Sequence, residues 1–170
     1  MESPENILKS LLAELKPKLP AFEDGRIDYR NASKSPGLAC FVRFDDKILL
    51  LKRSDKVLAA KDKWYVVAGF LDEQKSLKHK VKEELKEELN IDEATIKQII
   101  LAEPWEYIDT AAGKTWVQFP VLVDLKEMPK ITLDWEHTEY KWVLLHEIFM
   151  YDTPDSLMTS LGKFEKYWKD

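Results

Sequence analysis

Gly69-Phe-Leu-Asp-Glu-Gln-Lys-Ser-Leu-Lys-His-Lys-Val-Lys-Glu-Glu-Leu-Lys-Glu-Glu-Leu-Asn-Ile91 sets a glycine turn ahead of an amphipathic helix. Leu77, Val81, Leu85 and Leu89 recur at helical spacing, which predicts a helix over residues 76–89. Asn90 suits a left-handed cap, with Ile91 as its apolar contact. Glu84, Glu87 and Glu88 stand at offsets of 0, 3 and 4, hence within one turn and on one face. Like charges so placed weaken a helix slightly. A divalent cation turns that cost into a binding site, because hard cations such as Mg²⁺ prefer carboxylate oxygens. The same letters also describe a solvated helix with Lys78, Lys82 and Lys86 along another face, so the surroundings must decide.

Upstream, residues 38–43 and 47–52 are dense in apolar side chains and flank Asp45-Asp46, which predicts a hairpin. Residues 64–68 form a short strand punctuated by Gly69. Further upstream, residues 5–15 form an amphipathic helix that starts at Ser3-Pro4 and ends at Pro17 and Pro20. Residues 20–36 are irregular, with a short strand around residues 26–30. Downstream, residues 94–102 read as a short turn and then a strand. Residues 105–109 and 115–123 form a hairpin across Ala111-Ala112-Gly113-Lys114. Pro120 is expected at an edge or bulge, since it cannot donate to a ladder. Residues 130–133 and 139–144 read as strands, and residues 146–149 and 153–161 as helical. One mixed sheet with helices against its faces satisfies this order, an α/β fold of the mixed α+β kind. Residues 1–30 are expected to form a helical extension packed on a single domain of residues 31–170.

A net charge of −5 argues against a broad surface for nucleic acid or anionic membrane. Cys40 is the single cysteine, which excludes an intramolecular disulfide and a cysteine-based metal cluster. Its apolar neighbours make it a buried, inert thiol. No apolar run approaches the ~20 residues that cross a bilayer. The start, Met1-Glu-Ser-Pro-Glu-Asn, is not a signal peptide, so the expectation is a soluble cytoplasmic protein.

Gly69, Glu84, Leu85, Glu87, Glu88 and Ile91 fall at the spacings of the Nudix box, and the chain resembles the Nudix hydrolase family. Trp64 ahead of the box, Lys52-Arg53 at the end of a strand, and Glu136-His-Thr-Glu-Tyr-Lys-Trp-Val143 extend the likeness over about residues 38–150. The resemblance implies an α/β/α sandwich around a mixed sheet. It also implies hydrolysis of a nucleoside diphosphate linked to another moiety, such as a nucleotide sugar or ADP-ribose, with Mg²⁺ or Mn²⁺. Carried over by position, Glu84, Glu87, Glu88 and the backbone of Gly69 are the metal ligands. Three positions depart from the box. Lys75 stands where it has glutamate, Glu83 where it has arginine, and Asn90 where it has glycine. Val67-Ala68 replaces the proline-glycine often found before Gly69. Asparagine is a mild change, being the next residue after glycine to accept a left-handed conformation. Lys75 and Glu83 read either as a charge-swapped ion pair or as drift after loss of activity.

For the general base the candidates are Glu84 in the box and Glu136 and Glu139 on the later loop. Glu136 and His137 also read as a surface turn with Asp134 and Thr138. His137 is not expected to ligate, because Mg²⁺ prefers oxygen. Trp105, Tyr107 and Trp116 either stack a nucleobase or pack their hairpin. Arg53 and Arg43 are candidate phosphate contacts. Three readings follow: a pyrophosphohydrolase, a nucleotide-binding module without turnover, or an interaction protein whose likeness is accidental. The expected partner is a nucleotide-derived small molecule, not a nucleic-acid polymer or a membrane. A homodimer through the first helix or the aromatic tail stays open.

Overall fold

In the computed structural model, which describes residues 1–168, the elements run α1 (Pro4–Leu15), β1 (Lys34–Phe44), β2 (Lys47–Arg53), β3 (Trp64–Tyr65), β4 (Val67–Phe70), α2 (Leu77–Leu89), β5 (Ile96–Leu101), β6 (Trp105–Asp109), β7 (Lys114–Leu125), β8 (His137–Leu144) and α3 (Ser156–Gly162). Short 3-10 helices cover Lys16–Lys18, Glu93–Thr95, Leu145–Met150 and Glu165–Tyr167. All eight strands join one mixed sheet. β1 is its axis, parallel to β7 from Lys34↔Thr115 to Arg43↔Asp124. Along its first half it pairs antiparallel with β4, from Gly37↔Phe70 to Cys40↔Val67.

Strand alternation splits the interior into two cores, because successive side chains point to opposite faces. Leu38, Cys40 and Val42 of β1 face α1 and α2, together with Leu49, Leu51, Val67, Phe119, Val121 and Val123. Ala39 and Phe41 face the other side, where Ile48, Leu50, Leu122, Val143, Leu157, Leu161 and Phe164 close around them. The near-continuous apolar run of β1 is the mark of a strand buried on both faces. Cys40 is fully buried, and burial pushes its thiol pKa up, away from the reactive range.

Helix α2 is fastened at both ends. The Ser76 hydroxyl accepts from the His79 N–H at 3.1 Å. The Glu5 carboxylate on α1 accepts from the Leu77 and Lys78 N–H groups at 2.7 and 3.1 Å. Those N–H groups have no partner within the helix, so α1 serves as a cap as well as a packing partner. At the other end Asn90 is left-handed (φ 56°), and the Ile91 N–H donates to the Leu85 carbonyl at 3.1 Å. Leu77, Val81, Leu85 and Leu89 are fully buried beneath the helix. Each contributes roughly 1.5–3 kcal/mol relative to an exposed side chain.

One expectation holds over a shorter span than its strands, and four need correction. The β1–β2 hairpin forms, but it pairs only at Arg43↔Ile48 and Phe44↔Lys47. Beyond those rungs the strands part, and β2 pairs with β8 and β3. Residues 64–70 divide at Val66 into β3 and β4, so Gly69 lies in a strand opposite Leu38 and not at a turn. Pro120 sits in an interior strand, in register with Ala39, where the other neighbour of β7 changes from β6 to β5. The break in pairing accommodates its missing N–H. Residues 26–30 contribute an isolated bridge, Ala21↔Ile27, and residues 130–133 are not a strand.

Candidate metal and phosphate site

The segment after β7 is a strap across the end of α2. The Thr132 N–H donates to the Leu89 carbonyl at 3.1 Å, and the Asp134 N–H to the Glu88 carbonyl at 3.2 Å. Those carbonyls are in the last turn of α2, where the helix supplies no partner of its own. The strap turns at Asp134, whose carboxylate accepts from the Glu136 N–H at 3.0 Å. The Ser54 N–H then donates to the Glu136 carbonyl at 2.7 Å. Backbone bonds on both sides thus carry Glu136 and His137 to Glu88, 48 positions before Glu136 in the chain.

Glu88, Glu136 and His137 each present a ligand atom, and these atoms lie within 4.8 Å of one another. Glu88 is 2% exposed, and its Oε2 is buried with no hydrogen-bond partner. Among the described residues both ring nitrogens of His137 are also buried without a hydrogen bond, and the Asp134 carboxylate stands 3.5 Å from Nδ1. Such groups carry an uncompensated desolvation cost. Burial pushes the Glu88 carboxyl well above the usual range, and the nearby Glu136 carboxylate pushes it further. Burial drops the His137 imidazole to about 4, so the ring is neutral at pH 7. Two close carboxylates fit a hard divalent cation, which would give the Glu88 oxygen its missing partner, while the neutral imidazole beside them is the poorer ligand for such an ion. Glu136, only partly buried, is the member of the trio open to a substrate.

Of the three box glutamates, Glu84 and Glu88 lie close to one another and Glu87 stands apart. At 3.6 residues per turn, Glu87 and Glu88 lie about 100° apart around the helix. Glu84 and Glu88 turn inward, whereas Glu87 is exposed and borders a surface groove with His79 and Glu83. Glu84 is wedged between the Gly69 backbone and Lys80. A Cβ at Gly69 would stand 3.3 Å from the Glu84 carboxyl carbon, and the Lys80 Nζ is 3.1 Å from Glu84 Oε1. The Glu84 carboxyl is raised by burial, and Lys80 opposes the rise. Lys80 was legible as the residue four before Glu84 on one helix face, a spacing that pairs opposite charges.

Lys75 and Glu83 meet at 2.7 Å between Nζ and Oε1. This is the ion pair that charge-swapping requires, and Glu73 joins it at 3.2 Å from Lys75 Nζ.

Other candidates scatter. Arg53 is opposite His137 in the β2–β8 ladder, and its Nε donates to the Ala59 carbonyl at 2.9 Å. It stays beside the site. Arg43 does not. It lies five residues beyond the Leu38 rung that holds Gly69, about 16 Å along β1. There its guanidinium binds both carboxylate oxygens of Asp124 and the Tyr167 carbonyl, under the Trp168 ring. Glu139 is on β8 beside Lys52 at 3.6 Å, more than half exposed and outside the carboxylate trio. Trp105 donates its indole N–H to Ser160 on α3 at 2.9 Å and packs on Tyr107, so it ties the hairpin to that helix. Trp116 stacks on Phe70 with ring centres 5.5 Å apart, and the Lys114 ammonium lies over both rings. Phe70 follows Gly69, the neighbour of the Glu84 carboxyl group, directly along β4. Tyr107 is cross-strand from Trp116 and its hydroxyl is 3.5 Å from the Gln118 amide nitrogen.

The model of the NUDIX domain matches residues 34–161. No curated protein matches the chain. Among solved structures, the chain is similar to a MutT protein from Methanosarcina mazei Go1 (23% identity, TM-score 0.65, 82% of this chain and 99% of that one). It is also similar to the NUDIX domain of Shewanella oneidensis NrtR complexed with ADP ribose (15% identity, TM-score 0.66, 92% and 98%). A third is a bifunctional NMN adenylyltransferase/ADP ribose pyrophosphatase from Francisella tularensis complexed with AMP and a Mn ion (18%, TM-score 0.64, 97% of this chain and 48% of that one). At these identities the likeness is one of fold.

Proposed function

Because this chain belongs to the NUDIX family, we propose that it hydrolyses the pyrophosphate bond of a nucleoside diphosphate linked to another moiety, of the ADP-ribose or nucleotide-sugar class, with Mg²⁺ or Mn²⁺ as cofactor. One observation carries the reading. Glu88, which keeps a buried oxygen without a hydrogen bond, gathers with Glu136 and His137 so that their ligand atoms lie within 4.8 Å of one another. Glu88 would hold the ion from the buried side, and Glu136 from the open side. When bound, the cation neutralises charge on the pyrophosphate and activates a water for attack on phosphorus. Glu136, the partly exposed carboxylate, takes the proton of that water. Arg53 binds a phosphate oxygen beside His137. The Phe70–Trp116 pair, with Tyr107 across the strand, offers the nucleobase an aromatic surface, and Lys114 on its rings adds a charge for a phosphate. The AMP and ADP ribose bound by the Francisella and Shewanella proteins support this substrate class.

The reading carries with it a cytoplasmic protein acting alone or as a homodimer. Among the described residues no helix is long and apolar enough to cross a membrane. The test is mononucleotide release from ADP-ribose, nucleotide sugars and dinucleoside polyphosphates with Mg²⁺ or Mn²⁺. Turnover of at least one is expected, with a loss of about 10²–10⁴-fold in Glu136→Gln, the range for a positioned base. A second reading, nucleotide binding without turnover, is favoured by the lysine on Glu84. Tight binding of ADP-ribose with no release from any substrate would establish it instead.

A further inference from the structure

Lys80 is a charged side chain in an unusual place. Its side chain is only 13% exposed, and three carboxylates surround its ammonium. Glu84 Oε1 is at 3.1 Å, and Asp72 Oδ1 and Glu73 Oε1 are each at 3.8 Å. Asp72 is itself buried, and Oδ1 has no hydrogen-bond partner although it faces the ammonium. Its other oxygen is 3.7 Å from Arg26. An ammonium has three protons to give, yet here it makes one close contact and two long ones. A set of oxygens gathered loosely around a single positive centre is also the arrangement a hard cation takes.

We propose that the Lys80 ammonium is a resident cation that stands in for a divalent ion at Glu84, Asp72 and Glu73. The protein then carries one exchangeable ion, at Glu88 and Glu136, rather than a cluster along α2. This rests on the metal-dependent reading above and deepens it by fixing the metal stoichiometry. The physical ground is charge. A second divalent ion at Glu84 would sit within a few ångströms of a partly desolvated ammonium, and like charges at that range repel strongly in a low-dielectric site. Removing the ammonium while keeping its aliphatic length leaves three carboxylates without a counter-charge and opens the place to an ion. The Gly69 backbone, already against the Glu84 carboxyl group, borders that place.

The experiment is a Mn²⁺ titration of the full chain by electron paramagnetic resonance, with thermal unfolding in chelator and in Mn²⁺. The wild type is expected to take up one ion, and Lys80→Met a second. Lys80→Met should melt several degrees lower in chelator and regain most of that loss in Mn²⁺. Glu84→Gln in the wild-type background should leave the ion count unchanged, because Glu84 is engaged by Lys80. That arm decides the matter even if Lys80→Met fails to fold. Uptake of two ions by the wild type, an unchanged count in Lys80→Met, or loss of the wild-type ion in Glu84→Gln overturns the proposal. If the wild type takes up none and Lys80→Met takes up one, the role of Lys80 stands and the metal-dependent hydrolase does not. One ion in both proteins has the opposite meaning.

Discussion

The two ends of β1 treat buried charge in opposite ways. At the far end Arg43 and Asp124 are side by side across the parallel β1–β7 pair, with two guanidinium contacts, and Gln98 donates to the same carboxylate at 2.6 Å. No Asp124 oxygen is left over. At the near end, past Gly69, the Glu88 carboxylate keeps a buried oxygen that has no hydrogen-bond partner among the described residues. Burying charge is costly at both ends. A complete set of partners marks the far end as architecture, and the vacant valences mark the near end as the place where something from outside must bind.

The sharpest way to break this comparison is to remove an acid from each end. Asp124→Ala should cost about 3–5 kcal/mol, because it leaves the Arg43 guanidinium partly buried and unpaired. Chemical denaturation measures it, and the variant should bind Mn²⁺ normally. Glu88→Gln should do the reverse, with stability in chelator equal to or above wild type. Its Mn²⁺ affinity should fall by more than the ~10–100-fold that loss of an outer-shell partner costs. Equal destabilisation by both would erase the distinction.

Acid titration sharpens it further. Burial favours the neutral form of Asp124, but Arg43 and Gln98 outweigh it and hold the carboxyl below its ordinary value. The folded state therefore binds that proton less readily than the unfolded chain. The resulting stability is present above the ordinary carboxylate pKa and is lost as pH falls through that value towards the folded one. Asp124→Asn should lack this part of the acid limb, as followed by thermal unfolding at stepwise lower pH.

A smaller effect concerns the swapped pair. Lys75→Glu and Glu83→Arg should each destabilise, and the double variant should recover a coupling of about 0.2–1 kcal/mol, since both groups are about a third exposed. Strict additivity would mean that the contact does not contribute. The least effect is expected at Glu139, whose ion pair with Lys52 is on an exposed surface. Glu139→Gln should shift stability by no more than about 0.5 kcal/mol and leave turnover unaltered.

Local rules made part of the site legible. The stripe from Leu77 to Leu89 follows from the 3.6-residue period, and the left-handed Asn90 from that residue's tolerance of positive φ, neither of which needs knowledge of the rest of the chain. The Lys75–Glu83 contact followed from comparing two charges eight positions apart with the family pattern. Glu87 falls on the exposed side of α2, which offsets of 3 and 4, alike on an isolated helix, do not reveal. Only the packed sheet distinguishes the side that faces inward. Arg43 was misread because its partner is 81 positions away, a separation at which spacing carries no signal.

What the sequence determined by itself is the set of elements and the chemistry aligned on α2, since both are written in short-range periodicity. What the tertiary structure decided is which carboxylates share a site. Glu136 reaches Glu88 because the backbone of residues 132–134 hydrogen-bonds to the last carbonyls of α2. Those bonds are between main-chain groups common to every residue except proline, so the side chains do not announce them. The same holds for Lys80. Its spacing allowed the contact with Glu84, but only the fold desolvated the pair and brought Asp72 and Glu73 around the ammonium, turning a surface ion pair into a buried cation site.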